Sequence, residues 1–189
     1  MGQTALLVMD LQNAIIERIG ADDDFLSKTK EVISAARRAN VQVIYVSVKF
    51  RDEFPEVSPN NKMFSMLKTM GSQFNESQTS ADIHPSVKPE KKDILVTKRR
   101  VGAFSGSDLE VVLRSLGVDH LVLTGIATSG VVLSTLRAAA DLDYKITVLS
   151  DLCKDRDEEV HKVLTEKVFP MQADVMSSKE WEASLKSAV

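Results

Sequence analysis

Three places in this 189-residue sequence carry residue types suited to chemistry. The first is Asp10, in Val8-Met9-Asp10-Leu11-Gln12-Asn13, where a carboxylate ends an apolar run. A carboxyl so placed either forms a turn or cap, or acts as an acid–base group whose pKa is set by burial and a nearby cation. The second is Lys98-Arg99-Arg100. It reads as a solvated basic turn or as the source of that cation, and nothing in the residue types singles out Lys98 from Arg99 and Arg100. The third is the small-residue turn Ile126-Ala127-Thr128-Ser129-Gly130, followed by Val131. A strand turning sharply into a helix gathers backbone N–H groups, which suits a developing oxyanion or a bound carboxylate. The same turn also fits an ordinary strand–helix connection capped by Thr128 or Ser129.

The elements that must position these residues follow from periodicity. Residues 5–9 form a continuous apolar run, as in a parallel strand buried on both faces. Residues 25–39 carry apolar groups at helical spacing behind Asp22, Asp23 and Asp24, which supply a cap and favourable charge. Further strands are predicted over 41–48, 93–97, 119–123, 144–149 and 173–176. Further helices are predicted over 107–116, 131–142, 157–169 and 179–185. Ser107 with Glu110 reads as a capping box, Gly117 as a stop, and Pro170 as a terminator. Residues 49–90 hold four of the five prolines and only a short helical stretch at 63–67, the composition of a lid or interface segment.

Strands alternating with helices imply one three-layer α/β/α domain over 1–189, Rossmann-like, with a mostly parallel six-stranded sheet. Ligands of such sheets bind beyond the carboxyl ends of the strands. That rule selects the ends of three strands expected to be central, at Asp10, at Lys98 and at the turn before Val131.

Composition narrows the class of partner. Hydrophobic residues make up 43%, charged residues 27%, and the net charge is −3 with mixed signs. This is an ordinary soluble balance that favours neither nucleic acid nor a membrane surface. The longest apolar run, 5–9, is far too short to span a bilayer, and no leader segment is expected. One cysteine, Cys153, rules out an internal disulfide, and its setting reads as a buried small apolar residue. A cytoplasmic protein is expected.

Gly-Ile-Ala-Thr-Ser-Gly-X-Val, followed by Ser-Thr and an Ala-rich helix, resembles the nucleophile turn of the isochorismatase-like hydrolases. That superfamily includes nicotinamidases, N-carbamoylsarcosine amidohydrolases and isochorismatases. The Asp-X-Gln at Asp10 and the Lys-X-Arg-X-Gly-Ala-Phe-Ser-Gly-Ser segment at Lys98 are similar to two further motifs of the family, in the same order. The likeness runs over roughly residues 6–177. It implies Asp10 as general acid/base, Lys98 as catalytic cation, and a non-proline cis peptide at Ile126–Ala127, with the amides of Ala127 and Val131 facing the substrate. Gln12, Phe50, Arg99, Arg100 and Phe104 are the implied substrate-binding residues, and a homo-oligomer is expected.

One departure controls the function. Most members carry the catalytic cysteine at X, and here X is Val131. Ser129, Ser134 and Thr135 lie nearby without an evident base, and His84, His120 and His161 sit in no matching motif. Lys49-Phe50-Arg51-Asp52 stands where the nicotinamidase type of metal site would need an aspartate and histidines, so no metal or other cofactor is expected. The resemblance then implies a small-molecule hydrolase without a covalent intermediate, of the kind that cleaves a vinyl ether. The competing readings are a binding protein that has lost catalysis and an unusual amide hydrolase. An intact Asp10–Lys98 pair favours the first. A pocket filled by Val131, Phe50 or Phe104 favours the binding protein.

Overall fold

The computed structural model describes residues 2–186. Six strands, β1 (Gln3–Met9), β2 (Gln42–Val48), β3 (Ile94–Lys98), β4 (Val118–Ile126), β5 (Lys145–Lys154) and β6 (Asp174–Met176), form one sheet. Every pairing is parallel, and the order is β3-β2-β1-β4-β5-β6. The seven α-helices are α1 (Asn13–Ile19), α2 (Asp23–Arg38), α3 (Lys62–Thr69), α4 (Leu109–Ser115), α5 (Leu133–Asp141), α6 (Glu158–Val163) and α7 (Ser178–Lys186). No helix among the described residues is long and apolar enough to cross a membrane.

Successive residues of a strand face opposite sides, and here both sides are covered. Leu7 and Met9 join Ile44, Leu123 and the helix residues Leu109, Leu113 and Leu136. Leu6 and Val8 join Tyr45, Val122 and the helix residues Phe25, Val32, Ile33 and Trp181. The continuous apolar sequence of β1 follows from that double burial. Helix α2 begins as expected, with the Asp22 carboxylate accepting the Phe25 N–H at 2.9 Å.

Several expectations are corrected. Helix α1 is not foreseen by the periodicity. The capping box of α4 does not form. Glu110 pairs instead with Arg114, and the Ser107 hydroxyl accepts from Leu109 and donates to Ala103. The predicted 157–169 helix is α only over α6, continues as a π-helical turn at Leu164–Val168, and ends in a 3-10 turn containing Pro170. Strand β3 lies at the sheet edge rather than centrally, and its Leu95 is accordingly 61% exposed. Strand β5 runs past Leu149 because it bulges. It advances from Val148 to Cys153 while β4 advances from Leu123 to Gly125, so Cys153 lies in the sheet.

Residues 49–90 pack around a third apolar cluster of Val48, Phe50, Phe54, Phe64, Leu67 and Phe74. Phe50 is at its centre, 5.3 Å edge-on from Phe64 and 5.5 Å from Phe54. Burying such side chains contributes roughly 1.5–3 kcal/mol each, enough to hold a proline-rich connection against the sheet.

The strand order reverses between β1 and β4, and there the two strands come unusually close. Gly125 pairs with Met9, and a Cβ on Gly125 would stand 2.3 Å from the Met9 carbonyl oxygen. Gly125 also has φ +143°, which side-chain-bearing residues rarely adopt. Gly125→Ala is therefore expected to cost roughly 2 kcal/mol or more in urea unfolding. A substitution within a few tenths of wild type would show that this close approach is not required.

Candidate active site

Asp10 follows the last residue of β1 with φ +57°, a left-handed conformation that aspartate tolerates better than most residues. Its N–H donates to Val46 at 2.8 Å, which fixes the chain as it leaves the sheet. Lys98 ends β3, with β2 between the two. At the usual strand spacing of about 4.8 Å, only a long side chain reaches across that strand. The Lys98 ammonium does so and meets Asp10 Oδ2 at 2.9 Å, with both side chains buried.

The three ammonium hydrogens have three acceptors. Besides Asp10, Lys98 Nζ donates to the carbonyls of Arg100 at 3.0 Å and Val101 at 2.9 Å. Its direct hydrogen-bonding capacity is filled, so it acts on a ligand through its field and through the group it holds. Asp10 is the opposite case. Its Oδ1 is buried and has no partner. Burial pushes the Asp10 carboxyl above its ordinary value of 3.8, against the opposing pull of the Lys98 charge and, more weakly, of the Val48 N–H, whose hydrogen bond goes to Gln12 Oε1 at 2.9 Å.

A cavity of about 270 Å³ opens over this pair. Among the residues expected at the site, Asp10, Lys98, Ile126, Ala127, Gly130 and Val131 line it. The Ile126–Ala127 peptide is cis. Val131 is 2% exposed and leaves the cavity open. Much of the remaining wall is apolar, from Val48, from Ile15 and Ile19 of α1, and from Phe64, Leu67 and Phe74.

The turn itself is braced from behind. The Thr128 hydroxyl is hydrogen-bonded to His161 Nδ1 at 2.8 Å, and the Ser129 N–H donates to Asp155 Oδ2 at 2.7 Å. Neither residue caps α5, because the chain enters that helix through a π-helical turn at Thr128–Val132. The Thr135 hydroxyl accepts from the Ala103 N–H at 3.0 Å. Burial pushes the Cys153 thiol up to about 12, which suits a packing residue and not a nucleophile.

The remaining expected binding residues lie outside the cavity. Gln12 is fully buried, and its amide is occupied by backbone. Nε2 donates to Val48 at 2.9 Å and Ala81 at 2.6 Å, while Oε1 accepts from Val48 at 2.9 Å. Phe50 stands one layer back, in the third cluster. Arg99 is drawn to the Lys49 carbonyl, Glu76 and Glu56, and ties the 49–90 segment to β3. Arg100 and Phe104 border a separate shallow cleft, where Phe104 packs on Tyr144 at 6.0 Å. Conversely, Arg18 of α1 and Arg156 line the cavity and were not foreseen. The Ile15, Ile16 and Ile19 spacing before Gly20 is the signal that would have revealed α1 and with it Arg18. Arg156, in the connection between β5 and α6, has no such signal.

Comparison with known proteins gives the family and the fold. The isochorismatase domain model matches residues 4–180. A ureidoacrylate amidohydrolase of Serratia proteamaculans is 34% identical over 170 residues, covering 79% of this chain and 68% of that protein. An uncharacterized isochorismatase family protein of Bacillus subtilis is 29% identical over 184 residues, covering 97% and 95%. Among solved structures, an isochorismatase family protein from Burkholderia thailandensis superposes with a TM-score of 0.83 at 29% identity, covering 97% and 96%.

Removing one member of a buried ion pair leaves a desolvated charge and typically costs about 3–5 kcal/mol. Lys98→Met is expected to lose stability in that range in urea unfolding at about pH 8. A carboxyl with a raised native pKa binds its proton more tightly when folded, so its contribution is most favourable at low pH and is lost as pH rises through the native value. The Lys98→Met loss should therefore shrink as pH falls toward the raised native value of Asp10, and Asp10→Asn in the same chain should recover part of it. A loss independent of pH, or strictly additive, would show that the two groups are not coupled.

Proposed function

The chain belongs to the isochorismatase domain family, matched over residues 4–180, and on that premise we propose that it is a hydrolase of a small molecule that works without a covalent intermediate. The observation that carries this reading is the Asp10 carboxyl, desolvated and raised in pKa, with Oδ1 unpartnered beside an open cavity. Such a group holds a proton into a pH range where an ordinary carboxylate has lost it, which is what a general acid needs. Val131 offers no nucleophile, and vinyl-ether hydrolysis needs none. Asp10 delivers its proton to the enol carbon, and an oxocarbenium ion forms. Water adds to that cation and returns a proton to Asp10. The resulting hemiketal then collapses to a carbonyl compound and an alcohol.

Lys98 supports the cycle by position. It fixes Oδ2 and leaves Oδ1 to exchange the proton, and its charge stabilises the carboxylate once the proton has left. The intact pair and the open cavity favour this reading over a binding protein that has lost catalysis.

Direct attack of water on an amide carbonyl is the second reading. It is favoured by the amidohydrolase relatives at 34% identity. The two differ in the sign of their pH dependence. A general acid works when protonated, so vinyl-ether cleavage falls as pH rises through the Asp10 pKa. A general base works when ionised, so amide cleavage rises through the same value. The test is turnover of isochorismate and of a panel of small amides across pH, with wild type and Asp10→Asn. The expected result is vinyl-ether turnover that falls with rising pH, leaves no trapped adduct, and vanishes in Asp10→Asn while circular dichroism stays native. Undiminished turnover in Asp10→Asn would remove Asp10 from the mechanism.

A further inference from the structure

The turn that lines the cavity is held from outside itself. It enters α5 through the π-helical segment Thr128–Val132, and no side chain of its own caps it. The Ala127 carbonyl accepts from Gly130 at 3.0 Å and from Val132 at 3.3 Å. The Ser129 N–H, one of the unpaired donors that open a helix, finds its acceptor on another element.

Both supports come from the chain beyond β5. Asp155 Oδ2 accepts the Ser129 N–H at 2.7 Å, and His161 Nδ1 is hydrogen-bonded to the Thr128 hydroxyl at 2.8 Å. Thr128 is fully buried, and among the described residues its hydroxyl pairs with His161 alone. A buried hydroxyl stripped of its partner is costly, so the turn would shift to find another.

The irregularity of β5 brings these residues level with the turn. Between the Leu123–Val148 and Gly125–Cys153 pairs, β4 advances two residues and β5 advances five. Ile126 then pairs with Lys154, so Asp155 leaves β5 where Ala127 leaves β4. Such bulges re-aim side chains beside functional sites. Asp157 starts α6 by accepting the N–H groups of Glu159 at 2.9 Å and Val160 at 3.3 Å, which places His161 in the first turns of that helix.

We propose that Asp155 and His161 are positioning residues of the site, acting through Ser129 and Thr128 to fix where the cavity face of the turn stands relative to Asp10. This rests on the reading of the cavity as the substrate site. Ala127, Gly130 and Val131 form that face, whereas Asp155 and His161 border a separate cleft behind the turn and do not line the cavity. They need not touch a substrate to govern its turnover, because a misplacement of about 1 Å can cost roughly a hundredfold in rate.

The test compares His161→Leu, His161→Asn and Thr128→Val in the intact chain. Asparagine carries a polar δ atom where the imidazole has Nδ1, and leucine carries a methyl group there. The first readout is the backbone amide NMR shifts of Ala127, Gly130 and Val131 without ligand. His161→Leu and Thr128→Val should move them in the same direction, and His161→Asn should leave them near wild type. If His161→Leu does not fold, Thr128→Val and Asp155→Ala give the same readout. The second is isochorismate turnover, where His161→Leu should lower kcat about tenfold with KM within about twofold, and His161→Asn should restore most of it. His120→Leu is the structural control. His120 bonds Thr4 at 3.4 Å and Thr147 at 2.9 Å at the other end of β4, so its loss should lower the urea midpoint and leave both readouts unchanged. Unmoved amides in His161→Leu and Thr128→Val, a shift in His161→Asn as large as in His161→Leu, or a kcat loss matched by His120→Leu would overturn the proposal. Wild type without turnover would sink the proposed reaction, and the amide shifts would still decide the role of the two residues.

Discussion

The site depends on one buried ion pair held across a strand. Lys98 leaves an edge strand, passes β2, and gives its three hydrogens to Asp10 and to the carbonyls of Arg100 and Val101. The pair thus joins the ends of β1 and β3 and the first turn after β3. An isolated charge at either position would be far too costly to bury, and two together are tolerable only with the remaining hydrogens satisfied. The lysine meets that condition fully. The aspartate meets it on one oxygen and leaves the other without a partner. In a structural ion pair that orphan is a defect. In a proton-transfer site it is where a substrate belongs.

The second constraint is the approach of β4 to β1 at Gly125. It sets the turn against Asp10 at the point where the strand order reverses, and Asp155 and His161 brace the turn from its far side. Val131 then sits where the resemblance places a sulfur. It is buried, it packs with Leu136 and Val132 in one of the two main cores, and it lines a cavity that remains open. With valine at that position the cavity stays open, and the proposed reaction, confined to proton transfer and water addition, asks nothing of its side chain.

Much of this was legible in the sequence because long, strongly patterned segments report their own environment. The apolar run of β1, the capped amphipathic α2 and the turn after β4 show double burial, one-sided burial and tight curvature in their residue types. What was not legible has physical reasons. Helix α1 is seven residues long, follows Gln12 as an N-cap that makes no side-chain cap hydrogen bond, has no acidic first turn, and buries only Ile16 fully. Gln12 looks like a binding residue in a motif, yet a fully buried amide between three backbone groups is satisfied where it stands. Arg99 and Arg100 adjoin Lys98 in sequence, but alternate positions leave a strand end in different directions, and carboxylates at Glu56 and Glu76 capture Arg99. The edge position of β3 shows only in its alternation, with Leu95 and Thr97 exposed between the buried Val96 and Lys98. Arg18 and Arg156 reach the cavity through tertiary placement alone.

The most direct measurement of the central claim is the titration of the Asp10 carboxyl carbon by NMR, assigned by its loss in Asp10→Asn. Desolvation outweighing the Lys98 charge predicts a midpoint above the ordinary aspartate value of 3.8. A midpoint at or below that value would show that the ion pair dominates, that Asp10 is a permanent carboxylate, and that it is not the acid of the site.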